Sequence, residues 1–186
     1  IKSGLVYPLK EADTEGNEMN RGKRLLIVLF LGVTLLGSAP AWSNEDSLQK
    51  AKELQQEADQ LYQQGRYAEA IPIAERIRAI KEKVLGPNHP DTAESLNDLA
   101  VLYRTMGSYD KAEPLYKRSL AIREKALGPE HPDTATSLNN LAELYRTMGA
   151  YDKAEPLFRR SLVIYEKILG PEHPNTATSL NNLAVL

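Results

Sequence analysis

The 186-residue sequence contains no cysteine, few aromatic residues and almost no excess charge of either sign. Without cysteine, these residues can supply no disulfide, no thiolate zinc site and no cysteine nucleophile. The formal net charge of −2 excludes a strongly basic nucleic-acid binder, because such proteins carry dense lysine and arginine that neutralise phosphates. Charged residues make up 26% and hydrophobic residues 42% of the chain, which excludes a collagen-like or wholly disordered protein.

Long hydrophobic runs are also scarce, and the one that occurs has the layout of an export signal. Met19 and a short basic segment precede a 12-residue apolar run, Leu25–Leu36, which is shorter than the roughly 20 residues that cross a bilayer as a helix. The small residues Ala39 and Ala41 then predict signal-peptidase cleavage before Trp42. We therefore expect a cleaved signal peptide over residues 19–41, with an uncleaved anchor or a buried core helix as the alternatives.

The segment upstream of this signal does not fit an export signal. Residues 1–18 carry four acidic residues against two lysines, and no methionine occurs before Met19. Because export signals lie at or near the N-terminus, we expect translation to start at Met19. Residues 1–18 are then an artefact of gene prediction or, if translated, a disordered segment. The protein is expected to be exported, periplasmic or secreted, with no membrane span after cleavage. If the signal stays uncleaved, the expected location is the inner membrane.

A 42-residue repeat fills the rest of the chain. Gly86, Gly128 and Gly170 are each followed by Pro-X-His-Pro, and the two complete units that begin at Gly86 and Gly128 agree at 32 of 42 positions. Self-similarity at a fixed period predicts a repeat architecture. The spacing divides the chain into a divergent N-terminal copy at 44–85, two full units at 86–127 and 128–169, and the first helix of an interrupted unit at 170–186.

Each unit predicts two helices joined by a glycine turn. Asp91 is expected to cap the first helix, with Glu94 completing a capping box, and Gly107 ends that helix in a left-handed turn. The apolar stripe of the first helix recurs with helical period and comprises Leu96, Leu99, Ala100, Tyr103 and Met106. The second helix, from about Tyr109 to Leu127, ends at Gly128-Pro129 and is expected to bury Ala112, Leu115, Tyr116, Ser119, Ile122 and Ala126.

These positions resemble the tetratricopeptide repeat, and the 42-residue unit with LNNLA and LGPEHP is similar to its kinesin-light-chain subtype. The matching residues are Leu96, Leu99, Ala100, Tyr103, Gly107, Tyr109, Ala112, Tyr116 and Pro129, and in the next copy Leu138, Leu141, Ala142, Tyr145, Gly149, Tyr151, Ala154, Phe158 and Pro171. One departure is Ser119 and Ser161, where the family usually has alanine. The resemblance implies an all-α fold, a right-handed solenoid of antiparallel helix pairs, with the divergent copy as its cap.

The resemblance also implies a groove, lined by the first helices, that binds a partner peptide or domain. The predicted groove residues lie outside the apolar stripe and are Asn97, Val101, Arg104, Asn139, Glu143, Arg146 and Asn181, with Glu94, Thr136, Thr178 and Val185 nearby. The recurring asparagines could pair with the N–H and C=O groups of an extended peptide, and the arginines with a partner carboxylate. Alternatively, the asparagines bond neighbouring helices or water.

Catalysis and metal binding are not predicted. His89, His131 and His173 come from successive repeats about 10 Å or more apart, whereas zinc needs ligand atoms at about 2 Å around one point. A structural role in the loops is therefore favoured, and no cofactor is expected. No phosphate-binding glycine loop or nucleophile elbow occurs in the sequence.

The sequence is compatible with three functions. The first is a non-enzymatic scaffold that binds a protein or peptide. The second is a sensor or regulatory arm of a larger enzyme, such as a caspase-like peptidase, whose catalytic domain follows residue 186. The third is a self-associating spacer without a dedicated ligand.

Overall fold

The computed structural model describes residues 43–186, so the predicted signal peptide at 19–41 and the segment 1–18 lie outside the described residues. Within that range the chain is all helical, with no strand. The helices are α1 (Asn44–Gln63), α2 (Tyr67–Leu85), α3 (Pro90–Thr105), α4 (Tyr109–Ala126), α5 (Pro132–Thr147), α6 (Tyr151–Leu169) and α7 (Pro174–Ala184). None of these helices is long and apolar enough to cross a membrane.

The helices form pairs that stack in chain order. The pairs are α1 with α2, α3 with α4 and α5 with α6, and α7 packs on α6 as the first helix of the following unit. Equivalent helices begin one repeat apart, at Pro90, Pro132 and Pro174. Each helix packs chiefly against its neighbours in the chain, and α3 also contacts α5. This is the repeat arrangement of helix pairs that the sequence predicts.

The turn inside each pair is made by a glycine, as expected. Gly107 has φ of 74°, a conformation that L side chains rarely adopt. Its N–H donates to the carbonyl of Arg104 at 3.0 Å, and the N–H of Ser108 donates to the carbonyl of Tyr103 at 2.8 Å. These bonds satisfy carbonyls at the end of α3 that the helix itself leaves free.

The start of the first helices differs from the prediction. His89, not Asp91, is the N-cap of α3: its Nδ1 accepts the N–H of Asp91 at 3.1 Å. The predicted capping box is absent as well, because Glu94 accepts from Lys81 on α2 at 2.8 Å. The reason is Pro90, whose fixed φ and missing N–H suit the first helical position, so that the cap is the residue before it. His131 and His173 cap α5 and α7 in the same way.

A buried threonine completes each of these loops. Thr134 is fully buried, and its Oγ1 donates to the carbonyl of Gly128 at 2.8 Å. The equivalent bonds, from Thr92 to Gly86 and from Thr176 to Gly170, have the same length. The Gly-Pro-X-His-Pro-X-Thr motif is therefore a structural loop, and the prediction that the histidines serve these loops is confirmed.

The core follows the apolar stripes except at their ends. Leu96, Leu99 and Ala100 are buried as expected, but Met106 is 47% exposed and Ala126 is exposed. Both of these predictions were wrong because each residue lies at the C-terminal end of its helix, where the neighbouring helices no longer cover the stripe. The largest fully buried side chain is Tyr116, whose place is taken by Phe158 one repeat later.

Buried polar residues join one helix to the next. Ser119 and Ser161 donate to the carbonyls of Ala93 and Ala135 at 2.7 and 2.9 Å, which explains why a hydroxyl is accommodated at these positions. Arg123 is only 7% exposed and donates to the Asp133 carbonyl and to Ser137 Oγ, both at 3.0 Å. These bonds stabilise the packing of α4 against α3 and α5.

Candidate functional site

The candidate site is the strip of the first helices that lies outside their apolar stripe, and we call it the first-helix face. It comprises positions 94, 97, 98, 101 and 104 of α3 and the equivalent positions of the preceding and following repeats. We call the region between α1 and α3 the first junction, and the region between α3 and α5 the second junction. The predicted groove residues all lie on this face.

The asparagines of this face bond from one repeat to the next. Asn97 is 8% exposed, and its Oδ1 accepts from Nδ2 of Asn140 at 2.9 Å. Asn139 Oδ1 accepts from Nδ2 of Asn182 at 3.0 Å. Asn181, in contrast, is exposed. The geometry thus gives Asn97 and Asn139 the inter-helix role that the sequence left open, and their contact with a peptide stays a prediction.

A charged cluster occupies the second junction. Glu143 lies between two arginines: Arg146 donates to its Oε2 at 2.7 Å, and Nη1 of Arg104 lies 3.9 Å from the same oxygen. The Glu143 side chain is 15% exposed, so the pair with Arg146 is partly shielded from water. The hydrogen bond to Glu143 raises the pKa of Arg146. The structure therefore brings together three of the predicted groove residues, and the two guanidinium groups already share a carboxylate of the chain itself.

The remaining predicted positions differ in their contacts. Val101 is partly buried, and Val185 is 58% exposed. Thr136 shares a 2.8 Å hydrogen bond with the Tyr165 hydroxyl, whereas Thr178 donates to a carbonyl of its own helix. Both threonine hydroxyls thus already form hydrogen bonds within the chain.

The first junction contains a cleft of about 200 Å³, and Val101 is the one predicted groove residue that lines it. Its floor is apolar and includes Ala58, Ile77 and Leu102, and its polar lining includes Asp59 and Asp98. A second cleft, of about 590 Å³, adjoins it and shares both aspartates. The predicted groove residues come from the well-matched repeats only. Projecting positions 97, 101 and 104 back by one repeat, to 55, 59 and 62, would have found this lining.

Burial perturbs one carboxyl group in this cleft. Asp98 is partly buried, and its pKa is raised from 3.8 to about 6, chiefly by desolvation. The negative charges of Glu94 and Asp59 contribute to this rise, while the Asn97 amide and Lys81 oppose it. Near neutral pH the carboxyl group therefore gains or loses a proton readily when its surroundings change.

Charge is distributed unevenly along the first-helix face. The two clefts at the first junction hold four carboxylates against two lysines. One of these lysines, Lys81, is paired with Glu94. The second junction carries Arg104 and Arg146 against Glu143 alone. The face is thus acidic at its N-terminal end and basic further along.

Comparison with known proteins agrees with this architecture. Residues 50–125, 100–167 and 146–186 each match the sequence profile described as tetratricopeptide repeat. One solved structure, from Podosopora anserina, contains kinesin light chain tetratricopeptide-like (TPR-like) repeats that are nearly identical to one another. It is 30% identical in sequence to this chain, with a TM-score of 0.69. That alignment covers 74% of this chain, and the chain spans only 65% of that protein's length. No protein of curated function matches significantly.

Two further solved structures share the fold at lower identity. BtubC (BKLC) from P. vanneervenii is 22% identical, with a TM-score of 0.52, over 77% of this chain and 65% of its own. The type III secretion translocator chaperone SycD of Yersinia enterocolitica is 19% identical, with a TM-score of 0.60, over 81% of this chain and 100% of its own. Taken with the helix pairs and their glycine turns, the profile matches show that the chain belongs to the tetratricopeptide repeat family, with kinesin light chain-like proteins among its structural neighbours.

Proposed function

We propose that the protein is a non-catalytic interaction scaffold whose first-helix face binds an extended segment of a protein partner. The observation that carries this proposal is the pair of adjoining clefts at the first junction, which combine an apolar floor with charged walls. Such a combination is typical of sites where a few polar groups orient a ligand over an apolar surface. An extended segment suits the face because its side chains alternate along its length and can enter successive junctions.

The polar residues of the repeats support a non-catalytic role. Ser119 and Ser161 donate to backbone carbonyls, and the three capping histidines accept backbone N–H groups. A nucleophilic serine instead needs a base within hydrogen-bond reach, held by a third group. Each of these serines and histidines has a structural partner that accounts for its presence.

A selection experiment tests the proposal. The protein is used as bait for a random peptide display library of about twelve residues, long enough to span several junctions at ~3.3 Å per extended residue. We expect enrichment of peptides whose affinity, measured by fluorescence anisotropy, is lost in Val101→Lys. The added side chain fills the first junction, and Glu143 at the equivalent position shows that a long charged residue is accommodated.

The matched control places the same change on a second helix. Val163 on α6 is 61% exposed and lies outside the first-helix face, so Val163→Lys should leave peptide affinity unchanged. If no peptide is enriched, or if both variants weaken binding equally, the proposal is wrong.

We also propose that the scaffold acts outside the cytoplasm, on the strength of the signal-like segment at 19–41. N-terminal sequencing of the mature protein tests this, with Trp42 as the expected first residue. A protein that retains the apolar run at its N-terminus would point to the membrane-anchored alternative.

A further inference from the structure

The first junction differs from the second at positions that are equivalent in the repeat. Asn140 donates to Asn97 at the second junction, and Asn182 to Asn139 at the next. The residue equivalent to these two donors at the first junction is Asp98, whose ionised carboxylate can only accept hydrogen bonds. Gln55, which stands where Asn97 and Asn139 would be, instead donates to Asp59 on its own helix at 2.9 Å.

The carboxylates of the two junctions also differ in their contacts. Glu143 at the second junction contacts two arginines of the chain. The carboxylate at the same repeat position of α1 is Asp59, and Tyr62 takes the place of the arginine that follows. Within residues 43–186, neither Asp59 nor Asp98 forms an ion pair, although the charge of Lys81 lowers the pKa of Asp98. The first junction thus keeps two carboxylates without an ion-pair partner.

The cleft between these carboxylates has the shape of a side-chain pocket. Its volume of about 200 Å³ equals roughly seven water molecules at about 30 Å³ each, enough for a long unbranched side chain. Ala74, Ile77 and Leu102 give it an apolar floor. Tyr62, 41% exposed, also lines the cleft, where an aromatic face can stabilise a cation.

We propose that this cleft binds the side chain of a lysine or arginine carried by an extended partner segment, with Asp59 and Asp98 accepting from the cationic head. The inference rests on the function proposed above and specifies the partner's chemistry. The aliphatic stem of lysine or arginine packs on the apolar floor while its charged end reaches the carboxylates. An acidic side chain would instead face two negative charges, and an apolar one would leave both carboxylates without an ion-pair partner.

Proton uptake should accompany the loss of such a ligand. Asp98 faces Glu94 on its own helix, Lys81 on α2, Asp59 on α1 and the phenol of Tyr116 on α4. A cation bound beside it favours the ionised form and lowers its pKa. Binding should therefore weaken as the pH falls from 7 to 5, because the free carboxyl group is protonated in that range.

A double-variant cycle on the display selection tests the inference. We expect the wild type to enrich peptides with lysine or arginine at one fixed position, and Asp59→Asn/Asp98→Asn to lose that preference. For a selected peptide, the double variant should bind about tenfold or more weakly. The same peptide with norleucine in place of the basic residue should bind the double variant at least as tightly as the wild type, since the attractive interaction is then absent from both. Circular dichroism confirms that the variant is folded.

The control removes a carboxylate outside the first-helix face. Glu166→Gln, at an exposed position of α6, should retain the preference for a basic residue. Peptides enriched without a basic residue, or an equal loss for the lysine and norleucine peptides, would refute the inference and leave the proposed function intact. A wild type that enriches no peptide contradicts the proposed function, and the inference with it.

Discussion

Replacing Asp98 by asparagine should stabilise the protein, although the change removes a charge that the proposed ligand needs. Burial raises the pKa of this carboxyl group from 3.8 to about 6. In the unfolded chain the group ionises near its ordinary pKa, so the folded state holds its proton more tightly. Stability is therefore lost as the pH rises from about 4 to above 6. In Asp98→Asn this loss is absent, and the new amide matches Asn140 and Asn182.

The size of the effect follows from the same pKa. Each pKa unit corresponds to about 1.4 kcal/mol, so the difference between 3.8 and about 6 amounts to about 3 kcal/mol above pH 7. Asp98→Asn should thus exceed the wild type in the free energy of unfolding by up to about 3 kcal/mol at pH 7.5 and by almost nothing at pH 4. The pKa values of Glu82 and Glu113 are lowered by their cationic partners, but both proteins share this effect and it cancels in the difference.

Urea unfolding followed by circular dichroism at several pH values measures this difference. The matched control is Asn140→Asp, which removes the amide donor to Asn97 and places a carboxylate at the second junction. This variant should be less stable than the wild type at pH 7.5 and recover as the pH falls. A difference between Asp98→Asn and the wild type that is constant from pH 4 to 8, or destabilisation at pH 7.5, would refute the reasoning.

Three further changes test the packing of the repeats by urea or thermal unfolding. The buried hydroxyl of Tyr116 makes no hydrogen bond of good geometry within residues 43–186, although the Arg104 guanidinium lies close enough to lower its pKa. Tyr116→Phe should therefore stabilise by up to about 1 kcal/mol, whereas Phe158→Tyr should destabilise. A clear loss of stability in Tyr116→Phe would show that the hydroxyl pairs with Arg104. Thr134→Val removes the buried hydrogen bond to the Gly128 carbonyl and should lower the free energy of unfolding by about 1 kcal/mol. Thr178→Val, at an exposed position, should change it by no more than about 0.5 kcal/mol. Equal effects of the two changes would contradict the structural role of the loop. Arg123→Ala should cost about 2 kcal/mol because two charge-assisted hydrogen bonds are lost, and a neutral result would show that they contribute little.

The fold was predictable because its signals are local and repeated. The 42-residue period, the glycine at position 107 and the proline after Gly128 together locate the helices to within a residue or two. The start of α3 was placed at Asp91 because aspartate is a common cap, yet Pro90 moves the cap to His89. Both His89 and Asp91 can cap a helix, and the place of Pro90 as the first helical residue decides between them.

The site was harder to predict because its residues differ between repeats. Consensus positions pointed to Asn97 and Asn139, which bond to neighbouring helices, while the cleft depends on residues where the pattern breaks. A single repeat does not indicate that Asp98, in place of asparagine, or Tyr62, in place of arginine, belongs to a binding site. Their role emerges only when α1 and α3 lie side by side and leave two carboxylates over an apolar floor.

The capped loop between repeats has a consequence for how such a chain can change in length. The bond of Thr134 to Gly128 and the cap that His131 forms both close within a few residues of the same loop. Excising or duplicating one whole unit between equivalent points therefore leaves every such loop with its own donors and acceptors. Recombination between the two full units, which agree at 32 of 42 positions, can alter the number of repeats without creating a defective connection. The length of the array, and with it the number of junctions open to a partner, can thus vary while each unit keeps its structure.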